Sequence, residues 1–426
     1  MNKSLTTLAA ATLIALCNNS VEAGNPTAHF DVIVKLKPEY AVNGHQENRR
    51  NAQNIAAGLG VGSVKHSYGT AFFGFSATIS EQRLTILRRH PKVAAVMFDE
   101  VKTVNKGKPG GGSGAPDPQQ TPWGIERIGA TRNNNEGAGV HVYVLDTGID
   151  SDHGDLSVTS GMAFESCKGP SCNTPWDDDH GHGTHVAGTI AALDNQQDVI
   201  GVASQVTLHA AKICTSRGSC PNSSTIAALD WVTAEVSQRQ EAAVVNMSIG
   251  GSGSVTGSCT NAGFVGNDAY HEAICNARNA GVVVVVAAGN SGADAENYTP
   301  AGYSDTVITV SSVREGDDWN SFSNWGDGAA TWTNNLSAPI TIAAPGGNIL
   351  SLRAGGGTTT MSGTSMASPH VAGAVALFLA STPQPANGTA FINARNALLQ
   401  RAESTDGFNN TTGDPHFEDF LNVDTL

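Results

Sequence analysis

Basic residues are scarce in this chain, whose 426 residues include 24 Lys and Arg against 38 Asp and Glu. The deficit lies after residue 115, where 11 basic residues face 31 acidic ones, whereas residues 24–115 carry 12 basic and six acidic residues. A surface rich in carboxylates repels phosphate backbones and anionic lipids. The composition therefore predicts no nucleic-acid partner and no membrane partner. It also predicts that the two oppositely charged parts attract each other.

Hydrophobic runs long enough to span a membrane are also lacking. The longest, Leu5–Cys17, falls short of the roughly 20 residues that a span needs, which argues against a membrane anchor. It follows Lys3 and precedes the small-residue sequence VEA at 21–23, a pattern typical of a secretory signal peptide. Leu16 is too bulky for the usual lipoprotein signal before Cys17. We therefore predict a signal peptide at 1–23 and a secreted, extracellular protein.

CxxC pairs are absent, so the cysteines do not show the usual spacing of a zinc site. Removal of the signal peptide leaves six cysteines, an even number that suggests disulfides in an exported chain. Six cysteines allow 15 pairings. The short separations favour three local pairs: Cys167–Cys172, Cys214–Cys220 and Cys259–Cys275.

A Gly- and Pro-rich stretch, NKGKPGGGSGAPDP at 105–118, is the clearest domain boundary and predicts a flexible linker. The preceding part, 24–105, alternates strand-like and helix-like segments, which indicates a small α+β domain with helices on one side of an antiparallel sheet. We place the linker at 106–118 and the second domain at 119–426.

The second domain alternates short Val-rich runs with helical segments, and it contains no internal repeat. Continuous apolar runs are typical of strands that are covered on both faces. The pattern therefore predicts an α/β fold with a mostly parallel sheet flanked by helices. Asp146, Ser248 and Asn290 follow three of these runs, and sites in such sheets form at the carboxyl ends of the strands.

Three segments carry the functional signal: VLDTGID at 144–150, HGTHVAGT at 182–189 and GTSMASPHVAG at 363–373. Together with PWGIERIGA, NMSIGG, AAGN and APGGNI, they closely resemble the subtilisin-like serine peptidases, or subtilases. The segment NYTPAGYSDTVITV at 297–310 and the cysteines look most like the proteinase K branch of that family. The order Asp, His, Ser is typical of that family. The resemblance covers nearly all of 119–426 and implies a serine endopeptidase that acts through an acyl-enzyme.

The resemblance assigns the catalytic roles. Ser365 matches the nucleophile, His182 the general base, and Asp146 the carboxylate that orients the imidazole. Asn290 matches the side chain that donates a hydrogen bond to the oxyanion.

Three further histidines need a separate interpretation. His185 matches a structural histidine of the family, His180 is expected to be a solvated loop residue, and His370 a packed helix residue. A zinc site built from His180, His182 and His185 is the alternative, but their spacing lacks the HExxH pattern.

Substrate recognition is implied by the segments MSIGG and TSRGSC, which match the two edges that bind a peptide as an added strand in this family. The pocket for the residue before the cut is expected to have Thr299 near its base. Its small, uncharged segments predict broad specificity with a preference for apolar or aromatic residues, although the glycines could also be simple turn residues. The substrate-binding set is Ser248, Ile249, Gly250, Gly251, Ala287, Ala288 and Gly289.

Calcium is the implied cofactor, with a structural role and no catalytic metal. Side-chain and backbone oxygens of the kind that Ca²⁺ prefers occur at the positions that match the family's main calcium loop. A polar surface loop without metal is the alternative. The ligand set is Gln119, Asp155, Leu193, Asn195, Gln197 and Val199.

The N-terminal domain resembles the inhibitory propeptide of subtilases, with a ferredoxin-like α+β fold. The resemblance implies an autoprocessed zymogen whose linker contains the cleavage site, an intramolecular inhibitor, and protein or peptide substrates for a monomeric enzyme. Two other classes compete with this interpretation. They are a catalytically inactive binding protein or adhesin on the same scaffold, and a secreted metalloprotein that uses the histidine cluster.

Overall fold

The computed structural model describes residues 28–104, 116–328, 338–410 and 416–426. The predicted signal peptide and most of the predicted linker lie outside the described residues. Within the described part of the chain, no helix combines the length and the apolar character that crossing a membrane requires.

The N-terminal domain is a four-stranded antiparallel sheet with two helices. Its elements are β1 (His29–Leu36), α1 (His45–Gly58), β2 (Val64–Tyr68), β3 (Gly74–Ser80), α2 (Glu81–Arg88) and β4 (Val93–Phe98). The strand order β2-β3-β1-β4 is that of the expected ferredoxin-like domain. Sequence patterns indicate both helices and three of these strands. They miss β2, which is short and polar.

The larger domain contains an eight-stranded sheet and the helices around it. Its main elements are β6 (His141–Asp146), β7 (Val158–Ala163), α4 (His182–Ala191), β8 (Thr207–Lys212), α5 (Asn222–Arg239), β10 (Ala243–Met247), α6 (Ala269–Asn279), β14 (Val282–Ala287), β16 (Val307–Arg314), β17 (Asp318–Trp319), β18 (Ile342–Pro345), α7 (Thr364–Ser381) and α8 (Thr389–Arg401). The strand order is β17-β16-β14-β10-β6-β8-β7, with β18 also beside β16. All pairs are parallel except β16 with β17, which confirms the predicted mostly parallel α/β fold.

The described residues also form smaller elements. They are β5 (Val101–Val104), α3 (Trp123–Arg127), β9 (Ser219–Pro221), β11 (Ile249–Ser252), β12 (Ser258–Thr260), β13 (Gly263–Val265), β15 (Tyr298–Thr299), β19 (Ile349–Leu352) and β20 (Thr358–Met361). Three 3₁₀ turns lie at Pro38–Tyr40, Ala130–Arg132 and Ala295–Asn297.

Burial on both faces explains the Val-rich strands of the main sheet. All of Val282–Val286 is fully buried, and its side chains divide between two cores. One core contains residues of α4 and α7, and the other contains residues of α5 and α6. A strand with helices on both sides needs apolar residues at every position, so the sequence shows a continuous run instead of an alternation.

One of the Val-rich runs that the pattern predicts as strands, AAVVNMSIG at 242–250, is divided in the structure. The chain leaves the main sheet after Met247, and β11 joins a separate antiparallel sheet with the order β15-β11-β5-β9. Its strand β5 comes from the segment before the predicted linker. It lies between two strands of the larger domain, opposite Ile249 and Gly250 on one side and Ser219–Pro221 on the other.

Three disulfides join the cysteine pairs that the short separations favour. Cys167–Cys172 and Cys214–Cys220 close small loops, and Cys259–Cys275 attaches the β12–β13 hairpin to α6. The buried Cys220 belongs to β9, so its disulfide supports one edge of the antiparallel sheet.

Candidate active site

Three side chains expected to form a triad lie at the ends of regular elements. Asp146 is the last residue of β6, His182 is the first of α4, and Ser365 is the second of α7. Each is no more than 1% exposed, and α4 packs against α7. His182 Nδ1 and Asp146 Oδ1 are 2.8 Å apart, the contact that fixes the tautomer and orientation of an imidazole.

The environment of His182 favours its charged form. Burial alone would lower the pKa of His182, but the charge and hydrogen bond of Asp146, assisted by the charge of Asp178, raise this pKa above its ordinary value. The backbone N–H of Thr147 donates to Asp146 Oδ1 at 2.7 Å. His182 Nε2 is buried and has no hydrogen-bond partner among the described residues, so it can accept a proton from a nearby hydroxyl.

The Ser365 hydroxyl donates to the backbone carbonyl of Ser248 at 3.1 Å. Ser365 also lies in the first turn of an 18-residue helix, where free backbone N–H groups and the helix dipole favour negative charge. Negative charge at this position is therefore stabilised.

Asn290 lies just beyond the end of β14, and Thr364 orients it. Its Oδ1 accepts hydrogen bonds from the backbone N–H and the hydroxyl of Thr364, both at 2.9 Å. Because Oδ1 is occupied, Nδ2 remains as the donor. It lies 3.2 Å from the position that a Cβ on Gly363 would occupy, and a side chain there would crowd the amide.

The histidines near His182 point to different partners. His185 Nε2 contacts the carbonyl of Ile349 at 3.0 Å, and burial, with the charge of His182, lowers the pKa of His185 to about 3. His370 Nδ1 contacts the carbonyl of Met366 at 2.8 Å, and burial lowers its pKa to about 4. His180 is half-buried, and burial lowers its pKa too. These rings do not converge on one ion.

A cavity of about 310 Å³ lies beside the antiparallel sheet β15-β11-β5-β9. Five of the seven residues expected to bind substrate line it: Gly250, Gly251, Ala287, Ala288 and Gly289. Ser248 and Ile249 do not line it, since Ser248 lies against Ser365 and Ile249 pairs with Val104 of β5. Thr299 lies next to the cavity on β15, paired with Gly251. None of the described residues that line the cavity is charged.

The six residues expected to bind calcium lie together in one hydrogen-bonded loop region. Asn195 and the backbone N–H of Val199 donate to the carboxylate of Asp155 at 2.5 and 3.2 Å. Gln119 Nε2 donates to the carbonyl of Leu193 at 3.2 Å, and the N–H of Gln197 donates to Asn195 Oδ1 at 2.7 Å. The donor set of carboxylate, amide and carbonyl oxygens fits Ca²⁺. Burial also raises the pKa of Asp155 to about 6.

One other group of side chains has the spacing of a metal site. Within the described residues, Cys167, Cys172 and Asp179 bring their ligand atoms within 4.8 Å of one another. Both sulfurs belong to a disulfide, so neither is a thiolate that could bind a metal.

Comparison with known proteins decides the family. The profile described as the subtilase family matches residues 137–417, well over half of the chain. The chain is a subtilase. A second profile, peptidase inhibitor I9, matches residues 31–104, so this subtilase carries an inhibitor domain of the propeptide type in front of its peptidase domain.

The relatives of this subtilase are serine proteases. It is 33% identical to the subtilisin-like serine protease AsES of Sarocladium strictum over 81% of this chain and 80% of that protein. It is 32% identical to proteinase R of Parengyodontium album, over 75% of this chain and 73% of the relative. A solved structure, described as a cold adapted subtilisin-like serine proteinase, matches with a TM-score of 0.54 and 32% identity over 71% of this chain and 97% of that chain. These matches confirm a serine endopeptidase related to the proteinase K branch.

Two supporting residues were not found from the sequence. The buried Asp178 accepts hydrogen bonds from Thr147, from the backbone of His180 and Gly181, and from Thr184, and thereby fixes the turn that leads into α4. The sequence shows three aspartates before His180, but it does not show which groups each carboxylate contacts.

Lys212 is the second supporting residue. Its ammonium is fully buried and donates at 2.5 Å to both Asp179 and the carbonyl of Thr147. Because Lys212 pairs with Asp146 in the sheet, this ion pair supports the strand end that carries the triad carboxylate.

We expect Asp179→Asn to destabilise the enzyme by about 3–5 kcal/mol, because the change leaves the buried Lys212 ammonium without its counter-charge. Urea unfolding in the presence of a serine-protease inhibitor measures the loss. Asp406→Asn, at an exposed carboxylate, is the matched control and should change stability by no more than about 0.5 kcal/mol. Equal effects of the two substitutions would show that the ion pair contributes nothing.

Proposed function

We propose that this subtilase is exported as a zymogen and hydrolyses peptide bonds through Ser365, His182 and Asp146. In this proposal, residues 1–23 are the signal peptide, 24–105 the inhibitory propeptide, 106–118 a linker that contains the processing site, and 119–426 the catalytic domain. The observation that carries the proposal is the 2.8 Å contact between His182 and Asp146, with Ser365 at the start of the helix that packs on α4.

The geometry supports acyl transfer by the following route. When the Ser365 hydroxyl turns from the Ser248 carbonyl to His182 Nε2, the imidazole takes its proton as the oxygen attacks the substrate carbonyl. Asp146 stabilises the imidazolium. Asn290 Nδ2 and the backbone N–H of Ser365 donate to the oxyanion. His182 then protonates the departing amine, and water releases the acyl group by the same steps in reverse order.

We expect Ser365→Ala to abolish proteolysis and leave the precursor uncut, with a loss in kcat of about 10⁶-fold, the scale found for removal of this serine in a subtilisin. Mass spectrometry of the secreted product and a casein assay measure both effects. Ser381→Ala, which removes a hydroxyl at the far end of α7, is the control and should be processed normally. Mature protein in a pure Ser365→Ala sample would contradict the assignment.

Specificity in this proposal follows from the uncharged lining of the 310 Å³ cavity, most of which consists of small residues. A pocket without a carboxylate has no partner for Arg or Lys, and it stabilises a bulky apolar or aromatic side chain by burial. The enzyme is then a broad endopeptidase, since β9 and β11 bind the substrate backbone as an added strand.

Propeptide inhibition is supported by β5, which lies between β9 and β11 where a substrate strand would bind. The rest of the propeptide contacts α5 and α6. Asp99 accepts hydrogen bonds from the backbone N–H of Ser223 at 2.9 Å and from its hydroxyl, at the start of α5. Lys35 pairs with Glu272 of α6 at 2.6 Å.

Asp230 of α5 makes the most concentrated of these contacts. Its buried carboxylate accepts hydrogen bonds from three successive backbone N–H groups of the propeptide, those of Gly69, Thr70 and Ala71, at 2.6–3.1 Å. Successive N–H groups that converge on one anion form a strong binding site for it.

We expect Asp230→Asn to raise the inhibition constant of the propeptide, added in trans, by about 10- to 100-fold. The amide has no charge, and a hydrogen bond to a charged group contributes about 1.5–3 kcal/mol. Hydrolysis of a peptide substrate without propeptide should remain unchanged. Glu235→Gln, on the same helix but paired with Arg239, is the matched control. An unchanged inhibition constant for Asp230→Asn would show that the contact does not contribute to binding.

Calcium in this proposal is structural. Asp155, Gln119 and Asn195 would hold it by side chains, and Leu193, Gln197 and Val199 by backbone carbonyls. The bound ion would supply positive charge that offsets the buried carboxylate and the nearby Asp194 and Asp198. It would also fix the start of the catalytic domain, because residues 118–120 pair with 197–199.

We expect EDTA to lower the melting temperature and excess calcium to restore it, while the initial rate in the cold persists. An ion that binds only the folded state adds about 2.7 kcal/mol at a hundredfold excess over Kd. Asp155→Ala should abolish most of this calcium response, whereas Asp152→Ala, at an exposed carboxylate on the preceding turn, should retain it. A full calcium response in Asp155→Ala would place the main site elsewhere.

A further inference from the structure

Pro369 is the sixth residue of α7. Proline has no backbone N–H, so it cannot donate to the carbonyl four residues earlier, which is the carbonyl of Ser365. The residue expected to act as the nucleophile therefore lacks one regular hydrogen bond of its own helix. A buried carbonyl that loses its partner costs about 1–3 kcal/mol.

Ser248 supplies the missing donor. Its hydroxyl donates to the carbonyl of Ser365 at 2.9 Å, and its own carbonyl accepts from the Ser365 hydroxyl at 3.1 Å. Ser248 is fully buried and directly precedes Ile249, the first residue of the edge strand β11. One residue thus holds the backbone and the side chain of Ser365 beside the strand that pairs with the substrate.

The Ser248 hydroxyl is itself oriented by a buried relay. The Ser368 hydroxyl donates to Asn246 Oδ1 at 2.7 Å, and Asn246 Nδ2 donates to the Ser248 hydroxyl at 3.0 Å. Each group donates one hydrogen bond to the next, and such chains strengthen their members. Because Asn246 accepts one bond and donates the other, the hydroxyl of Ser248 is left to donate to Ser365.

We propose that the Ser248 hydroxyl is a positioning group for the nucleophile, and that its role is to replace the hydrogen bond that Pro369 removes from α7. This inference rests on the proposed role of Ser365. It assigns to the side chain of Ser248 a function separate from the substrate pairing of the neighbouring backbone. A substitution that returns an N–H to position 369 should make the hydroxyl dispensable.

The test is a double-mutant cycle of Ser248→Ala and Pro369→Ala in the processed enzyme, with active sites counted by a serine-reactive phosphonate. With Pro369 present, Ser248→Ala should lower kcat at least tenfold while KM for a short peptide changes less than twofold. In the Pro369→Ala background, where the restored N–H can donate to the Ser365 carbonyl, Ser248→Ala should lower kcat less than threefold. An equal decrease in kcat on Ser248→Ala in the two backgrounds would overturn the proposal.

Ser351→Ala is the matched control, because Ser351 is also buried and donates to a helix carbonyl, that of His185, at 2.8 Å. Its effect should not depend on residue 369. If Ser248→Ala yields no processed enzyme, then processing of the double variant, Ser248→Ala with Pro369→Ala, supports the proposal. If neither the single nor the double variant is processed, the proposal is refuted. Activity that survives in Ser365→Ala would instead refute the proposed catalytic role, so the two failures are distinguishable.

Discussion

The parallel register of the central sheet is the constraint on which the active site depends. Val144 of β6 lies opposite Asn246 of β10, and Asn246 lies opposite Val285 of β14. The three strands therefore end at one edge, where Asp146 is the last residue of β6 and where Ser248 and Asn290 follow the ends of β10 and β14. In a parallel sheet the carboxyl ends always share an edge, so these polar groups meet although their strands lie far apart in the sequence.

Helix termini supply the rest of the site at that edge. His182 begins α4 and Ser365 lies in the first turn of α7, so the imidazole and the hydroxyl are both carried by helix starts. The buried polar groups that support them are paired: Asp178 with the turn before α4, Lys212 with Asp179, and Asn290 with Thr364. Buried polar networks of this kind lose stability when one member is removed, so these residues hold the ends of β6 and the starts of α4 and α7 in place.

The sequence predicted what depends on local pattern and missed what depends on distant pairing. The Val-rich runs, the helical segments and the short cysteine separations are local, and they indicated the sheet, helices that flank it and three disulfides. Three contacts join residues that lie between 31 and 117 positions apart in the sequence: Asp178 with Thr147, Lys212 with Asp179, and Ser248 with Ser365. The hydrophobic periodicity of the sequence does not indicate such contacts. The division of the strand at 242–250 was missed for the same reason, because only the distant partners of β11, which are β5 and β15, show that it belongs to another sheet.

The place of β5 between β9 and β11 has a consequence for the free enzyme. In the proposed mature enzyme, from which β5 has departed, the sheet β15-β11-β5-β9 has a gap one strand wide, and the backbone groups of β9 and β11 that paired with β5 border it. Any polypeptide that fills the gap must be extended over several residues, and a helix or a paired strand in a folded protein cannot enter. How readily a segment of the target protein unfolds would therefore decide whether it enters the cleft, before any of its side chains reaches the pocket.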